Sequence, residues 1–177
     1  MPVDPRIISL LLFCRELEAL TGGKVDVTMG SVLALWHEAR SQGVDDPEEA
    51  ALPGQAALEE AARHTGFSLL EIDQEASTVR LTDPLARLDV GAVAKGYAVE
   101  QVCRNSPAGL LVSVGGNVRA TGPKPEGNAP WVVGVQEPDG GKQDYLHTLY
   151  IDQQSVVSSG DYQRYFTVDG ARYHHII

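Results

Sequence analysis

At Gly109 the hydrophobic pattern of this chain changes period, and that switch limits the possible folds more than any other feature. Before it, apolar residues recur at helical spacing between glycine stops; after it, short apolar runs alternate with turn residues. Asp4-Pro5 predicts a helix start, with an acid at the cap and proline at the first helical position. That helix runs to about Leu20, with Ile7, Ile8, Leu11, Leu12 and Leu20 inward, and Thr21-Gly22-Gly23 ends it. Lys24 to Thr28 reads as a short extended piece. Met29 to Arg40 reads as a second helix carrying Leu33 and Trp36, and 41–53 as a polar loop. Gly54 to His64 reads as a third helix, closed by Thr65-Gly66. Ser68 to Ile72 and Thr78 to Leu81 form two strands, and a fourth helix ends near Asn105.

Beyond the switch, Leu110 to Val114 reads as a buried strand that turns at Gly115-Gly116 into Asn117 to Thr121. Trp131 to Gln136, Tyr145 to Ile151 and Ser155 to Ser158 are further strands. Arg164 to Val168 and Ala171 to Ile177 make a hairpin about Asp169-Gly170. Helices followed by a meander predict an α+β fold, N-terminal helices packed on a mainly antiparallel β-sheet. A length of 177 residues predicts one domain over 1–177. Fourteen basic against twenty-four acidic residues give a net charge of −10 and no basic stripe, which excludes nucleic acid as a partner. No apolar run is long enough to span a membrane. Cys14 and Cys103 fall in predicted helices and read as small buried apolar residues.

The stretch from Leu88 to Glu100 reads as a strand end, a small-residue turn and a helix start. Two readings stand open on these residues: an anion site at a helix N-terminus, or a helix start whose small residues permit close packing. It is neither a Walker P-loop nor a dinucleotide fingerprint, because the glycine and lysine spacings of both are missing.

Other motifs accompany this stretch. Thr21-Gly22-Gly23-Lys24-Val25-Asp26-Val27-Thr28 is similar to a TGGxFDxT segment, and Leu88 to Ala98 to DLGGIAKGYA. Ser113 to Val118 resembles xxGGNI, and Pro130 to Val135 resembles PWxVGI. Ser158 to Phe166 resembles TSGDYERYF, and Asp169 to Ile177 resembles DGKRYHHII. In this order they resemble the ApbE-type FAD:protein FMN transferases, which have a T-fold-like architecture. The resemblance implies Mg²⁺-dependent phosphoryl transfer: a Thr or Ser hydroxyl of an acceptor protein attacks the FMN-side phosphorus of FAD, and AMP leaves. It implies FAD contacts at Lys24, Val25, Asp26, Asp89, Lys95 and Ile176, a metal contact through the carbonyl of Ala92, and a catalytic role for His175. For Asp26 a helix cap near Thr28 is the competing reading, and for Lys95 a solvated surface lysine. His174 and His175 point to opposite faces of one strand, so at most one faces a site. Ser158 to Asp161 reads either as a donor loop near the cofactor or as a turn. Trp36 and Trp131 read as core, and His37, His64 and His147 as surface or structural residues.

Family segments with a methionine at the flavin, and with an Asp and a Thr that complete the Mg²⁺ site, find no match in these residues. The chain is therefore expected to be the central part of such a protein, with little FAD binding or turnover alone. A flavin-binding module without catalysis, an FAD pyrophosphatase and a purely structural domain are the alternatives. The acceptor is expected to be a subunit of a membrane redox complex, and the location periplasmic or on the outer face of the cytoplasmic membrane.

Overall fold

A computed structural model describes residues 1–141 and 144–176. Its elements in order are α1 (Pro5–Thr21), α2 (Gly30–Asp45), α3 (Gln55–Ala62), β1 (Leu70–Asp73), β2 (Thr78–Leu81), α4 (Gly91–Arg104), β3 (Leu111–Val114), β4 (Asn117–Ala120), β5 (Trp131–Gln136), β6 (Tyr145–Ile151), β7 (Ser155–Val157), β8 (Tyr165–Val168) and β9 (Ala171–His174). The class is α+β, as expected. Every strand ladder among the described residues is antiparallel, and the strands fall into four small sheets: β1-β2, β3-β4-β7, β5-β6 and β8-β9. The chain forms two compact units, Met1–Ala92 with Arg164–Ile177, and Val93–Gln163.

In the first unit, Asp4 caps α1 by accepting from Arg6 N at 2.8 Å, and Gly22 ends it with φ 62°. The buried stripe of α1 is centred on Ile8, Leu11 and Cys14, at i, i+3 spacing, with Leu10 beside it. This leaves Ile7 at the edge of the stripe and Leu20 past its end; they are 42% and 82% exposed, against the inward placement expected from sequence. Burying a side chain such as Leu11 contributes about 1.5–3 kcal/mol. Helix α2 runs on to Asp45, through residues that read as loop. Tertiary packing explains the extension: Gly43 is buried, and a Cβ there would stand 2.8 Å from Phe166 Cδ2 on β8. Tyr173 on β9 packs between Trp36 and Phe166, with ring centroids 6.4 and 5.8 Å away. Trp36 is half-buried at the end of this stack, short of the full burial expected from sequence. The β8-β9 hairpin turns at Asp169-Gly170 with φ 50° and 78°, the left-handed pair of a tight hairpin. Ile177 lies outside the described residues.

In the second unit, α4 buries Val99 and Cys103, while Ala120 and Ile151 are buried on the strands. The Arg119 guanidinium donates to Glu100 at 3.2 Å, to the Ala120 carbonyl at 2.7 Å and to the Gln153 carbonyl. One planar fork so joins α4, β4 and the turn before β7. Trp131 donates its indole N–H to Gly122 O at 2.9 Å. Strand β3 is not buried: Leu111 is 36% and Val114 46% exposed. It is the outer strand of its sheet and, among the described residues, pairs only with β4.

His64, just past α3, is structural. Its Nδ1 lies 2.6 Å from Asp83 Oδ2, and its Nε2 lies 3.5 Å from Glu60 Oε1. His37 and His147 are exposed. The hydrogen bond to Asp83 raises the His64 pKa above 6.5, and the same bond holds the Asp83 carboxyl below 3.8. A raised histidine stabilises the fold below its unfolded pKa and loses that contribution as pH rises through the folded one; the depressed carboxyl does the reverse on the acid side. The pair therefore contributes fully between 3.8 and 6.5. Melting temperatures of the native chain and Asp83→Asn, measured from about pH 4 to about pH 9, should differ most in that window and converge above it.

Candidate functional site

The turn before α2 and the segment before α4 lie side by side in the first unit, although some sixty positions separate them. Asp26 Oδ1 accepts from Thr28 N at 2.8 Å and from Thr28 Oγ1 at 2.6 Å. This is an Asx-type turn, the short-range bond that aspartate offers its own backbone. Lys24 to Thr28 is accordingly a turn and not the extended piece expected from sequence. Asp26 does not cap α2 either; that helix starts at Gly30 with Met29 at its cap and no side-chain bond. The carbonyl of Val27 accepts from Asp89 N at 2.8 Å, and the carbonyl of Arg87 from Gly30 N at 3.1 Å. Met29 and Arg87 form an isolated parallel bridge, the only parallel pairing among the described residues.

Asp89 repeats the chemistry of Asp26. Its Oδ1 accepts from Gly91 N at 2.7 Å and so caps the first turn of α4. Leu88 to Val90 belongs to no strand, its backbone being tied through the bond from Asp89 N to Val27 O, and α4 begins at Gly91. Both aspartates are half-buried, and the Oδ2 of each makes no hydrogen bond among the described residues. Two carboxylates with one oxygen tied and one free thus project from a joined pair of loops.

The other residues expected at a site are distributed as follows. Lys24 is exposed, and Val25 donates its N–H to Thr21 Oγ1 at 3.1 Å. Ala92 is exposed in the first turn of α4, where its carbonyl enters the helical ladder and keeps one further lone pair. Lys95 lies in the second unit, where its Nζ stands 3.8 Å from the position of a Cβ on Gly115. Gly115 and Gly116, with φ 50° and 87°, make the tight β3-β4 turn beneath it. His175 follows β9 and donates its backbone N–H to Arg164 O at 3.0 Å; Ile176 donates to His174 Nδ1 at 3.2 Å. His174 is half-buried and His175 exposed. Partial desolvation pushes the His175 pKa below 6.5, the facing Arg164 carbonyl opposes this, and the charges of Arg164, Arg40 and His174 add to the lowering. The net direction favours the neutral imidazole. Asp161 sits exposed in a bend after β7, consistent with the turn reading. Among the described residues no group of three or more His, Cys, Asp or Glu side chains converges as a metal-ligand cluster. A single carbonyl at Ala92 does not make a Mg²⁺ site.

Sequence reasoning missed Thr28 and Gly66. Thr28 is the one fully buried polar side chain among the described residues, and its Oγ1 accepts from Gly66 N at 2.5 Å. The Asp-x-Thr spacing was the available signal, since it is the spacing of an Asx turn.

The ApbE family model matches residues 1–177. A protein named FAD:protein FMN transferase from Treponema pallidum (strain Nichols) is 32% identical over 191 residues, which cover 99% of this chain and 51% of that protein. One of the same name from Klebsiella pneumoniae (strain 342) is 29% identical, covering 99% of this chain and 52% of that protein. The crystal structure of the ApbE protein from Thermotoga maritima superposes with a TM-score of 0.81 at 36% identity, covering all of this chain and 56% of that one. The apo flavinyl transferase ApbE from Pseudomonas stutzeri gives a TM-score of 0.71 at 26% identity, covering 99% of this chain and 52% of that one. The chain spans about half the length of the curated relatives it matches.

The joint between the two loops is closed sterically as well as by hydrogen bonds. A Cβ on Gly30 would stand 2.6 Å from Arg87 O and 2.9 Å from Leu88 C, both backbone atoms. Gly30→Ala should destabilise the chain by about 1–3 kcal/mol, measured by urea unfolding, because backbone cannot turn aside as a flexible side chain can. Gly54→Ala, at a cap with open space around it, is the control and should stay close to native stability.

Proposed function

The chain belongs to the ApbE family, and from that membership we propose that it is the flavin-nucleotide-binding portion of an FAD:protein FMN transferase. The observation that carries the reading is the joint of Val27 O and Asp89 N at 2.8 Å. It joins the backbone that follows Lys24-Val25-Asp26 to Asp89, two places that the family resemblance matches to FAD contacts, and this supports the reading. The relatives' shared name, FAD:protein FMN transferase, supports FAD as substrate and a protein as acceptor.

In the proposed reaction an acceptor Thr or Ser hydroxyl forms a bond to the FMN-side phosphorus. The bond from that phosphorus to the bridging oxygen breaks, and AMP leaves with that oxygen. The hydroxyl proton passes to a base, and His175, whose lowered pKa favours the neutral imidazole, is assigned that role. Asp26 and Asp89 orient FAD through their free carboxylate oxygens, and Lys24 and Lys95 are assigned to the nucleotide's anionic or polar groups. Ile176 is assigned to the apolar ring system. Mg²⁺ is the cofactor in this reading and would supply counter-charge to the diphosphate; Ala92 O is the oxygen assigned to it here. The acceptor is assigned to a membrane redox complex, reached from the periplasmic side. Among the described residues no helix is long and apolar enough to cross a membrane.

The test uses the full-length gene product with FAD, Mg²⁺ and an acceptor protein bearing the Thr or Ser site. AMP release together with FMN on the acceptor, both abolished by EDTA, is the expected result. AMP and free FMN without labelled acceptor would identify a hydrolase, and FAD binding without AMP release a binding module. The rate should fall on the acid side as pH drops through the lowered His175 pKa, below 6.5, because protonation removes the base. In His175→Asn that acid limb should vanish along with most of the rate, read from AMP formation across pH.

A further inference from the structure

We infer that Thr28 is the positioning residue of the flavin-nucleotide site, holding Asp26 with Oδ1 engaged and Oδ2 presented to the ligand. The inference rests on the proposed binding role of Asp26 and adds a residue that does not itself touch the ligand.

Thr28 is fully buried, and its hydroxyl has a partner on each side. Gly66 N–H can only donate, and it reaches Thr28 Oγ1 at 2.5 Å. The hydroxyl proton is thereby directed to Asp26 Oδ1, 2.6 Å away. Thr28 N–H donates to the same oxygen at 2.8 Å. Two donors on one carboxylate oxygen fix the Asp26 rotamer, because rotation about its side-chain bonds would break both. Oδ2 is the atom left over. The same threonine fixes the backbone that follows Asp26, since Val27 O, between the two residues, takes the Asp89 N–H. Gly66 lies in the linker from α3 to β1, so the hydroxyl anchors the gripping turn to a third piece of chain. A valine has the shape of threonine without the hydroxyl. It would leave Gly66 N–H without its acceptor and Asp26 held by one donor.

The experiment compares FAD affinity, KM for FAD and kcat in the full-length gene product and its Thr28→Val, Thr28→Ser and Asp26→Asn variants, at a temperature well below each melting point. Thr28→Val should weaken FAD binding and raise KM roughly tenfold or more with kcat largely kept, and Thr28→Ser should restore both. A threonine that only stabilised the fold would lower the melting temperature and the active fraction while KM stayed put; that outcome, or native affinity in Thr28→Val, overturns the inference. If Thr28→Val does not fold, Thr28→Ala decides on the same readouts, and Asp26→Asn tests the binding role on which the inference rests. The Asp26→Asn variant keeps a carbonyl oxygen for Thr28 and replaces only the outward oxygen, so it should fold and bind FAD weakly; native affinity there overturns the inference. A native protein that binds no FAD at all overturns the binding reading itself, and the inference with it.

Discussion

A buried threonine hydroxyl, accepting from Gly66 and donating to Asp26, is the contact on which the geometry of the first unit depends. A hydroxyl stripped of water and left unpaired costs about 1–3 kcal/mol, so the chain around Thr28 adopts only arrangements that satisfy it. Those arrangements fix the turn at 26–30, and the turn fixes its neighbours. Val27 O receives Asp89 N–H, Gly30 N–H reaches Arg87 O, and Gly30 has no Cβ to keep the two backbones apart. The start of α2, the cap of α4 and the linker into β1 therefore share one buried polar centre. A hydrophobic contact would not do this, because burial by apolar area is indifferent to direction. The hydrogen bonds specify which atoms meet.

The aspartates of this acidic chain show how little a local pattern says about a site. Asp4 accepts from Arg6 N, Asp26 from Thr28 N, Asp83 from Leu85 N and Asp89 from Gly91 N, each two residues on. In each case the carboxylate meets an otherwise unpaired backbone N–H at a turn or a helix start. By this bond alone Asp26 and Asp89 are no different from Asp4, which caps a helix on the surface. What separates them is tertiary: the backbone of one is bonded to the backbone next to the other. That contact spans sixty-odd positions and leaves no periodicity or spacing in the sequence.

The parts of the fold that were legible are those decided within a few residues. The Gly22 stop, the Asp169-Gly170 hairpin and the limits of β5 and β6 follow from turn chemistry and alternation, and they stand where expected. The misread parts were decided at a distance. Lys24 to Thr28 looked extended because its valines alternate, but the Asp26 and Thr28 side chains fold it back. Helix α2 outran its polar sequence because Gly43 packs under Phe166, more than one hundred and twenty positions away. Strand β3 reads as buried because it is apolar, yet its sheet leaves it at an edge with solvent on it. The residues expected at a site rest on resemblance, and their grouping was not legible: Asp89 bonds the backbone next to Asp26 through Val27, while Lys95 belongs with the Gly115-Gly116 turn.

The start of α4 is the instructive case, because its two sequence readings lead to different electrostatics. An open helix N-terminus offers N–H groups and a positive dipole end to a phosphate. Here Asp89 already takes the Gly91 N–H at 2.7 Å, so a carboxylate stands at the first turn. The chain also carries a net charge of −10, so no general field draws a second anion there. A diphosphate at this point would face the Asp89 charge at short range, and that repulsion must be offset by a cation or avoided by distance. The arrangement is better matched to a neutral donor, such as a hydroxyl or ring N–H, at Asp89 Oδ2, with the phosphates placed where cationic charge is supplied. The electrostatics of this helix start are thus set by the acid that caps it more than by the open dipole end.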